Sequence, residues 1–401
     1  MDRINYKCDK VKLHKEFSEK IVERIFNVIQ KQGYISYDVE ARKISTGGNN
    51  FLGELYEINI KGKKKEVYTE TNIFLKHIIY NHDFKVYSIP EVYAKEAFLY
   101  TELGKIFYEL QDEADIPLQD RFKLVKSYDE TNSEVIILEN LTQKGFKTMF
   151  RLDVMSIEFA KLSVEQLARF HGLSCVLQRK RSEYFDAKIK SIKQSFVYDE
   201  YWNELIRRMC KVSVAKLDEE TKKNIWTFFD SSLEKYPKYM NGTDMPFKTL
   251  CHGDYKMTNI LMRETDGVIV EVLPIDFQQI YYGCPVIDLI YFLYASSDRN
   301  FRKQYLIYLK DYYFESLRKF LGYFNIDVID LCTKEDFDTC FQSSLDYALM
   351  YTLYMLPMFF ICDDVPDLSK DDILEMPIKV DESFYVRMQG IIDDFIELGI
   401  I

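Results

Sequence analysis

Three polar residues in the second half of the chain have the types and spacing that phosphoryl transfer asks for. Asp254 and Asn259 flank Tyr255-Lys256-Met257-Thr258, and Asp276 follows the apolar stretch that starts at Val268. In that reaction a protein mainly positions groups and neutralises charge. One carboxylate takes the proton of an attacking hydroxyl, and hard oxygen ligands hold Mg²⁺ on the nucleotide phosphates. Asp254 suits the first role, and Asn259 and Asp276 suit the second. Taken singly, such residues are usually turn formers or strand caps, so the inference depends on what brings them together.

The intervening sequence supplies that. Asn259-Ile260-Leu261-Met262, the turn Glu264-Thr265-Asp266-Gly267, and Val268 to Phe277 read as two short strands joined by an Asp-Gly hairpin turn. A hairpin brings its open ends together, so Asn259 and Asp276 become neighbours although seventeen positions apart. Asp254 sits on the loop feeding the same end. In the first half, Lys76 lies inside the apolar run Ile73-Phe74-Leu75-Lys76-His77-Ile78-Ile79, where an unpaired charge is costly. Glu96 shares a helical stripe with Val92, Leu99 and Leu103, which points an acid at the core. The two make a natural pair; the alternative is an edge-strand lysine in water and a rim glutamate.

These residues need two kinds of scaffold. From Ile35 to about Leu141 the pattern is that of strands with one helix near Pro90 to Leu110, a small mixed sheet that includes Phe122-Lys123-Leu124-Val125-Lys126-Ser127-Tyr128 as a strand. From Asp153 onward it is helical apart from Leu250 to Phe277. The expected fold is α+β and two-lobed, with residues 1–138 as the first lobe, 139–401 as the second and a hinge near 139–142.

His252-Gly253-Asp254, then Asn259, Ile275-Asp276-Phe277-Gln278 and Pro285-Val286-Ile287-Asp288-Leu289 together resemble the signature of the ecdysteroid-kinase-like family. Those proteins are relatives of choline kinases and aminoglycoside phosphotransferases on the protein-kinase-like fold. Ser45 to Ile58, Ile73-Phe74-Leu75-Lys76, Ala94 to Tyr100, Leu138 to Leu141 and Leu167 to Ser174 fit in the same order. The resemblance implies an ATP- and Mg²⁺-dependent small-molecule kinase. Lys76 would hold the α- and β-phosphates and Glu96 would orient it. Gly48 and Asn50 would belong to the loop over the nucleotide, and the backbone of Glu139 and Leu141 would meet adenine. Asp288 would brace the catalytic loop, although it could instead cap its own helix. His252 reads as a brace of the same loop and His171 as a hydrogen-bonded core residue. Two positions depart from the family pattern: Asn140 where Asp is usual, and Lys256 where many members carry Trp.

The acceptor implied is the hydroxyl of a steroid such as an ecdysteroid, or of another lipophilic alcohol. The uncharged stretch Tyr347 to Cys362, with Tyr354 and Met358 on it and Pro357 to bend it, would line the acceptor pocket beside Lys256; such a stripe is more often plain core. The alternatives are a choline- or aminoglycoside-type kinase of a polar cationic alcohol, and a non-catalytic hormone or xenobiotic sink on the same fold. With Lys and Arg at 53 and Asp and Glu at 64, the net charge of −11 disfavours nucleic acid as a partner. No apolar run reaches the ~20 residues a membrane span needs, and the eight cysteines lack a paired framework. A cytosolic protein with reduced thiols is expected, and no protein partner is evident.

Overall fold

In the first lobe, strand alternation divides the side chains between two cores. The computed structural model describes residues 7–12, 17–44, 53–79, 85–241, 247–362, 372, 374–375 and 377–401. Strands β1 (Lys7–Lys12), β2 (Ser36–Lys43), β3 (Gly53–Lys64), β4 (Val67–Ile78) and β5 (Val135–Glu139) form one sheet in that order. β1 pairs in parallel with β2 and the other pairs are antiparallel. Helix α1 (Glu19–Lys31) starts at Ser18, whose side chain accepts from the Ile21 N–H, and carries the apolar stripe Ile21, Ile25, Val28 and Ile29. That stripe shares one core with Ile73 and Leu75 of β4 and with Val135 and Ile137 of β5. The alternate positions Ile78, Ile136 and Leu138 belong to the second core, with helix α2 (Ile89–Phe98). Lys76 has the same parity as Ile78 and therefore faces α2.

α2 runs through a π-helical turn, Leu99–Leu103, into α3 (Gly104–Glu113). The segment read as a strand from Phe122 is extended without being a full strand. It touches β5 through the Ser127–Leu138 bridge and the Glu139 N–H to Lys126 carbonyl bond of 2.8 Å. α1 extends the lobe ahead of the Ile35 start read from the sequence.

β6 (Phe146–Thr148) joins a three-stranded sheet with two later strands, β8 (Ile260–Thr265) and β9 (Val268–Pro274). The helical lobe is built around α4 (Ile157–Lys180), buried over most of its length, followed by α5 (Ser182–Lys188), α6 (Glu200–Ser213), α7 (Glu219–Leu233) and α8 (Tyr236–Asn241). β7 (Thr249–Cys251), the hairpin β8 (Ile260–Thr265) and β9 (Val268–Pro274), and β10 (Tyr281–Gly283) come next. Asp266 and Gly267 both have positive φ, 53° and 77°, as a tight two-residue hairpin turn demands. The remaining helices are α9 (Pro285–Ala295), α10 (Arg299–Gly322), α11 (Lys334–Ser343), α12 (Leu345–Phe359) and α13 (Ser383–Glu397). α9 is buried on every side. Pro357 cannot donate to the Leu353 carbonyl, and that carbonyl instead accepts from Ser213 Oγ of α6 at 2.6 Å, so α12 continues to Phe359. Among the described residues no helix is long and apolar enough to cross a membrane. Cys175, Cys210, Cys251, Cys284, Cys332 and Cys340 are buried thiols.

Candidate active site

β7 delivers the chain to a loop whose path only glycine permits. Gly253 has φ +78°, and a Cβ there would lie 2.1 Å from the Gln279 carbonyl oxygen. Asp288, on α9, accepts from the N–H groups of His252 at 2.5 Å and Gly253 at 2.9 Å. It does not cap its helix, for which no side-chain cap is formed. His252 is fully buried: its Nε2 donates to the Ile275 carbonyl at 3.1 Å and its Nδ1 accepts from the Asp254 N–H at 3.3 Å. Burial pushes its pKa below the ordinary histidine value, so the ring is a neutral strut between the loop and the end of the hairpin.

The hairpin brings its two ends together through the Ile275 N–H to Asn259 carbonyl bond of 2.9 Å. Asn259 Nδ2 donates to the Asp254 carboxylate at 2.8 Å and to its carbonyl at 2.9 Å, which turns the amide oxygen away from Asp254. Asp254 also accepts from Lys256 Nζ on Oδ2 and from the Tyr291 hydroxyl on Oδ1. Asp276 adopts a left-handed conformation, φ 64° and ψ 62°, which costs a non-glycine residue about 1–3 kcal/mol. Its neighbour Phe277 anchors the turn, with its ring 4.6 Å from His252 and 5.6 Å from Phe170.

Lys76 donates to Glu96 at 2.9 Å and to Asp276 at 2.8 Å, joining sheet, α2 and hairpin at one ammonium. Lys76 and Glu96 are almost wholly buried, while the Asp276 side chain is 31% exposed. Burial raises the Glu96 carboxyl to about 7. Against burial, the two carboxylates hold the Lys76 ammonium above its usual range. Burial also opposes ionisation of Asp276, and Lys76 outweighs it to hold that carboxyl low. Asn259 and Asp276 fit a divalent cation: both offer hard oxygens, one of them anionic.

The other residues singled out from the sequence divide. Gly48 and Asn50 lie outside the described residues. Glu139 pairs its side chain with Lys144 at 2.9 Å, and Leu141 is buried at the end of β5. Asn140, the departure from the family acid, donates to Glu57 at 3.1 Å and accepts from the Thr142 N–H at 3.0 Å, so it ties the segment after β5 to β3. Lys256 reaches back to Asp254 and lies 5.0 Å over the Phe359 ring. Met358, next to Phe359 in sequence, is half-buried. Tyr354 needs correcting: it is a core residue, its hydroxyl bonded to Tyr236 and its ring packed on Trp202. Its helix is apolar on nearly every side, so periodicity could not tell which tyrosine faces a cavity. His171 bonds Tyr313 at 2.7 Å and Asp288 at 3.2 Å. Although it lies within 4.8 Å of Cys251 and Asp288 ligand atoms, these groups are engaged in the loop brace, and burial pushes the Cys251 thiol far up.

Sequence reasoning missed Tyr291. The available signal was its position three residues after Asp288, on the same face of one helix.

The family model described as the ecdysteroid kinase-like family matches residues 47–326. No curated protein matches the chain. Among solved structures, the GDP complex of wild-type aminoglycoside 2'-phosphotransferase-IIIa is 11% identical with a TM-score of 0.39, covering 95% of this chain and 100% of that one. A streptomycin–ATP ternary complex of an aminoglycoside phosphotransferase is 13% identical with a TM-score of 0.35, covering 86% and 99%. A choline/ethanolamine kinase family protein from Mesorhizobium loti is 14% identical with a TM-score of 0.33, covering 84% and 90%. Identities and scores are low throughout, and the assignment rests on the family match.

Proposed function

The chain belongs to the ecdysteroid kinase-like family and is a small-molecule kinase, and from that premise we propose the following reaction. The protein is a cytosolic, ATP- and Mg²⁺-dependent kinase that moves the γ-phosphate onto a hydroxyl of an uncharged, lipophilic molecule such as an ecdysteroid. The observation that carries this reading is the meeting of Asp254, Asn259, Asp276 and Lys76 at one hairpin end, through the bonds given above. Lys76, oriented by Glu96, holds the α- and β-phosphates, and the hinge backbone at Glu139 and Leu141 receives the base. The lobes divide there, 1–138 from 139–401. A magnesium ion held by Asn259 and Asp276 would neutralise charge on the phosphates.

Asp254 orients the acceptor hydroxyl and takes its proton on Oδ2 as the new oxygen–phosphorus bond forms. The bond from the γ-phosphorus to the bridging oxygen breaks, and its electron pair leaves with the nucleoside diphosphate. Lys256 bears on the acceptor class. A cation held against the base opposes the approach of a cationic alcohol through like-charge repulsion, and the Phe359 ring beneath it, with Met358 next along α12, would offer apolar contact.

The test is an acceptor screen with ATP and Mg²⁺, read as phosphorylated product by mass, on wild type, Asp254→Asn and Lys256→Ala. Asp254→Asn is expected to lower kcat on the order of 10²-fold with Mg·ATP affinity within a few fold. Lys256→Ala is expected to narrow the preference for neutral over cationic acceptors. Wild-type turnover of small cationic alcohols faster than any sterol overturns the acceptor class. Acceptor binding without product under any divalent metal overturns the kinase reading.

A further inference from the structure

Asp254 Oδ1 accepts a hydrogen bond from a group with no place in the reaction so far, the hydroxyl of Tyr291. Tyr291 is 4% exposed, and its ring lies 4.3 Å from that of Tyr351, itself buried on α12. It stands one helical turn beyond Asp288, which holds the loop backbone at His252 and Gly253. One face of α9 thus grips three consecutive loop residues, two by their N–H groups and the third by its carboxylate. The three donors to that carboxylate differ in freedom. Lys256 is on a flexible stem, and Asn259, at the start of the hairpin, donates to Oδ2. Tyr291 is locked in packed core.

We propose that Tyr291 is a positioning residue for phosphoryl transfer, pinning Oδ1 of Asp254 so that Oδ2 is the oxygen presented to the acceptor hydroxyl. The proposal rests on the reading of Asp254 as the group that receives that hydroxyl. A carboxylate on a single Cα–Cβ stem can rotate its two oxygens, and a misplaced base loses rate without losing substrate. A buried phenol donating to one oxygen removes that freedom. It remains in place when Lys256 gives way to the acceptor.

The experiment compares Tyr291→Phe, Asp254→Asn and the double variant for kcat, both KM values, Mg·ATP affinity and melting temperature. Tyr291→Phe keeps the ring and is expected to lower kcat on the order of tenfold while KM for ATP and Mg·ATP affinity stay within about twofold. In the Asp254→Asn background the same substitution is expected to cost nothing further, since Tyr291 acts only through that carboxylate. Unchanged kcat in Tyr291→Phe overturns the proposal, as does an equal extra loss in the double variant. Should Tyr291→Phe not fold, Tyr291→His keeps a ring donor at the position. It is expected to retain kcat within about tenfold of wild type, and a fall to the level of Asp254→Asn overturns the proposal. Full activity in Asp254→Asn alone would instead overturn the base reading, whatever Tyr291→Phe does.

Discussion

Lys76 is held by two carboxylates at once, and that arrangement decides what its removal does. Taking away the ammonium leaves Glu96 buried beside Asp276 without the cation that lowers its pKa, so the carboxyl must bear an uncompensated charge or take up a proton. Breaking such a group by deleting one partner typically costs about 3–5 kcal/mol, whereas replacing the buried partners together by apolar residues is often near neutral. Lys76→Met is therefore expected to lose about that much stability in urea denaturation, and Lys76→Met with Glu96→Leu to recover a large part of it. The Asp276 carboxylate retains access to water, so it tolerates the loss better than Glu96 does. A double variant no more stable than the single one would show that buried charge is not the cause.

Among the elements, the loop from β7 to β8 loses stability in acid, because its strut is a neutral buried histidine. The folded-state pKa of His252 is depressed by burial, so between that value and the unfolded value of about 6.5 the unfolded chain binds the extra proton. Stability from this group is fully present above about pH 6.5 and is lost as pH falls through the folded pKa, at up to about 1.4 kcal/mol per pH unit. Protonation would also place a donor where Nδ1 accepts from the Asp254 N–H. Glu96, raised to about 7, takes its proton before the unfolded chain does and opposes this trend, so between pH 7.5 and 5 the melting temperature of wild type is expected to fall relative to that of His252→Gln. His77 on β4, half-buried and likewise pushed down by burial, supplies part of the remaining slope. Equal slopes in the two proteins would remove His252 from the account.

The two lobes of the whole molecule meet at the Lys76–Asp276 bond, so a ligand held by both lobes stabilises the assembly beyond either part. Binding to the folded state alone adds RT ln(1 + [L]/Kd), about 2.7 kcal/mol at a hundred times Kd. Mg·ATP is expected to raise the melting temperature of wild type by several degrees, and ATP with a chelator to raise it less. Asp276→Asn weakens the hard-anion character of the site and is expected to abolish the difference between the two. A full Mg²⁺-dependent shift in that variant would remove Asp276 from the metal site.

By itself the sequence determined what depends on short-range periodicity. A charge inside the apolar run Ile73 to Ile79 singled out Lys76, the 3.6-residue stripe around Val92 set Glu96 inward, and Asp266-Gly267 closed the hairpin that joins Asn259 to Asp276. These follow from backbone geometry over a dozen residues or so. Periodicity shows which face of an element is apolar and not what covers it. So only the tertiary structure decided that α1 packs on the sheet, that Tyr354 is spent on Trp202 and Tyr236, and that Lys76 bonds a residue 200 positions away. The same limit hid Tyr291: its spacing from Asp288 gave it a shared face, but on a helix buried all round a phenol becomes a partner of Asp254 only where two distant segments are packed together.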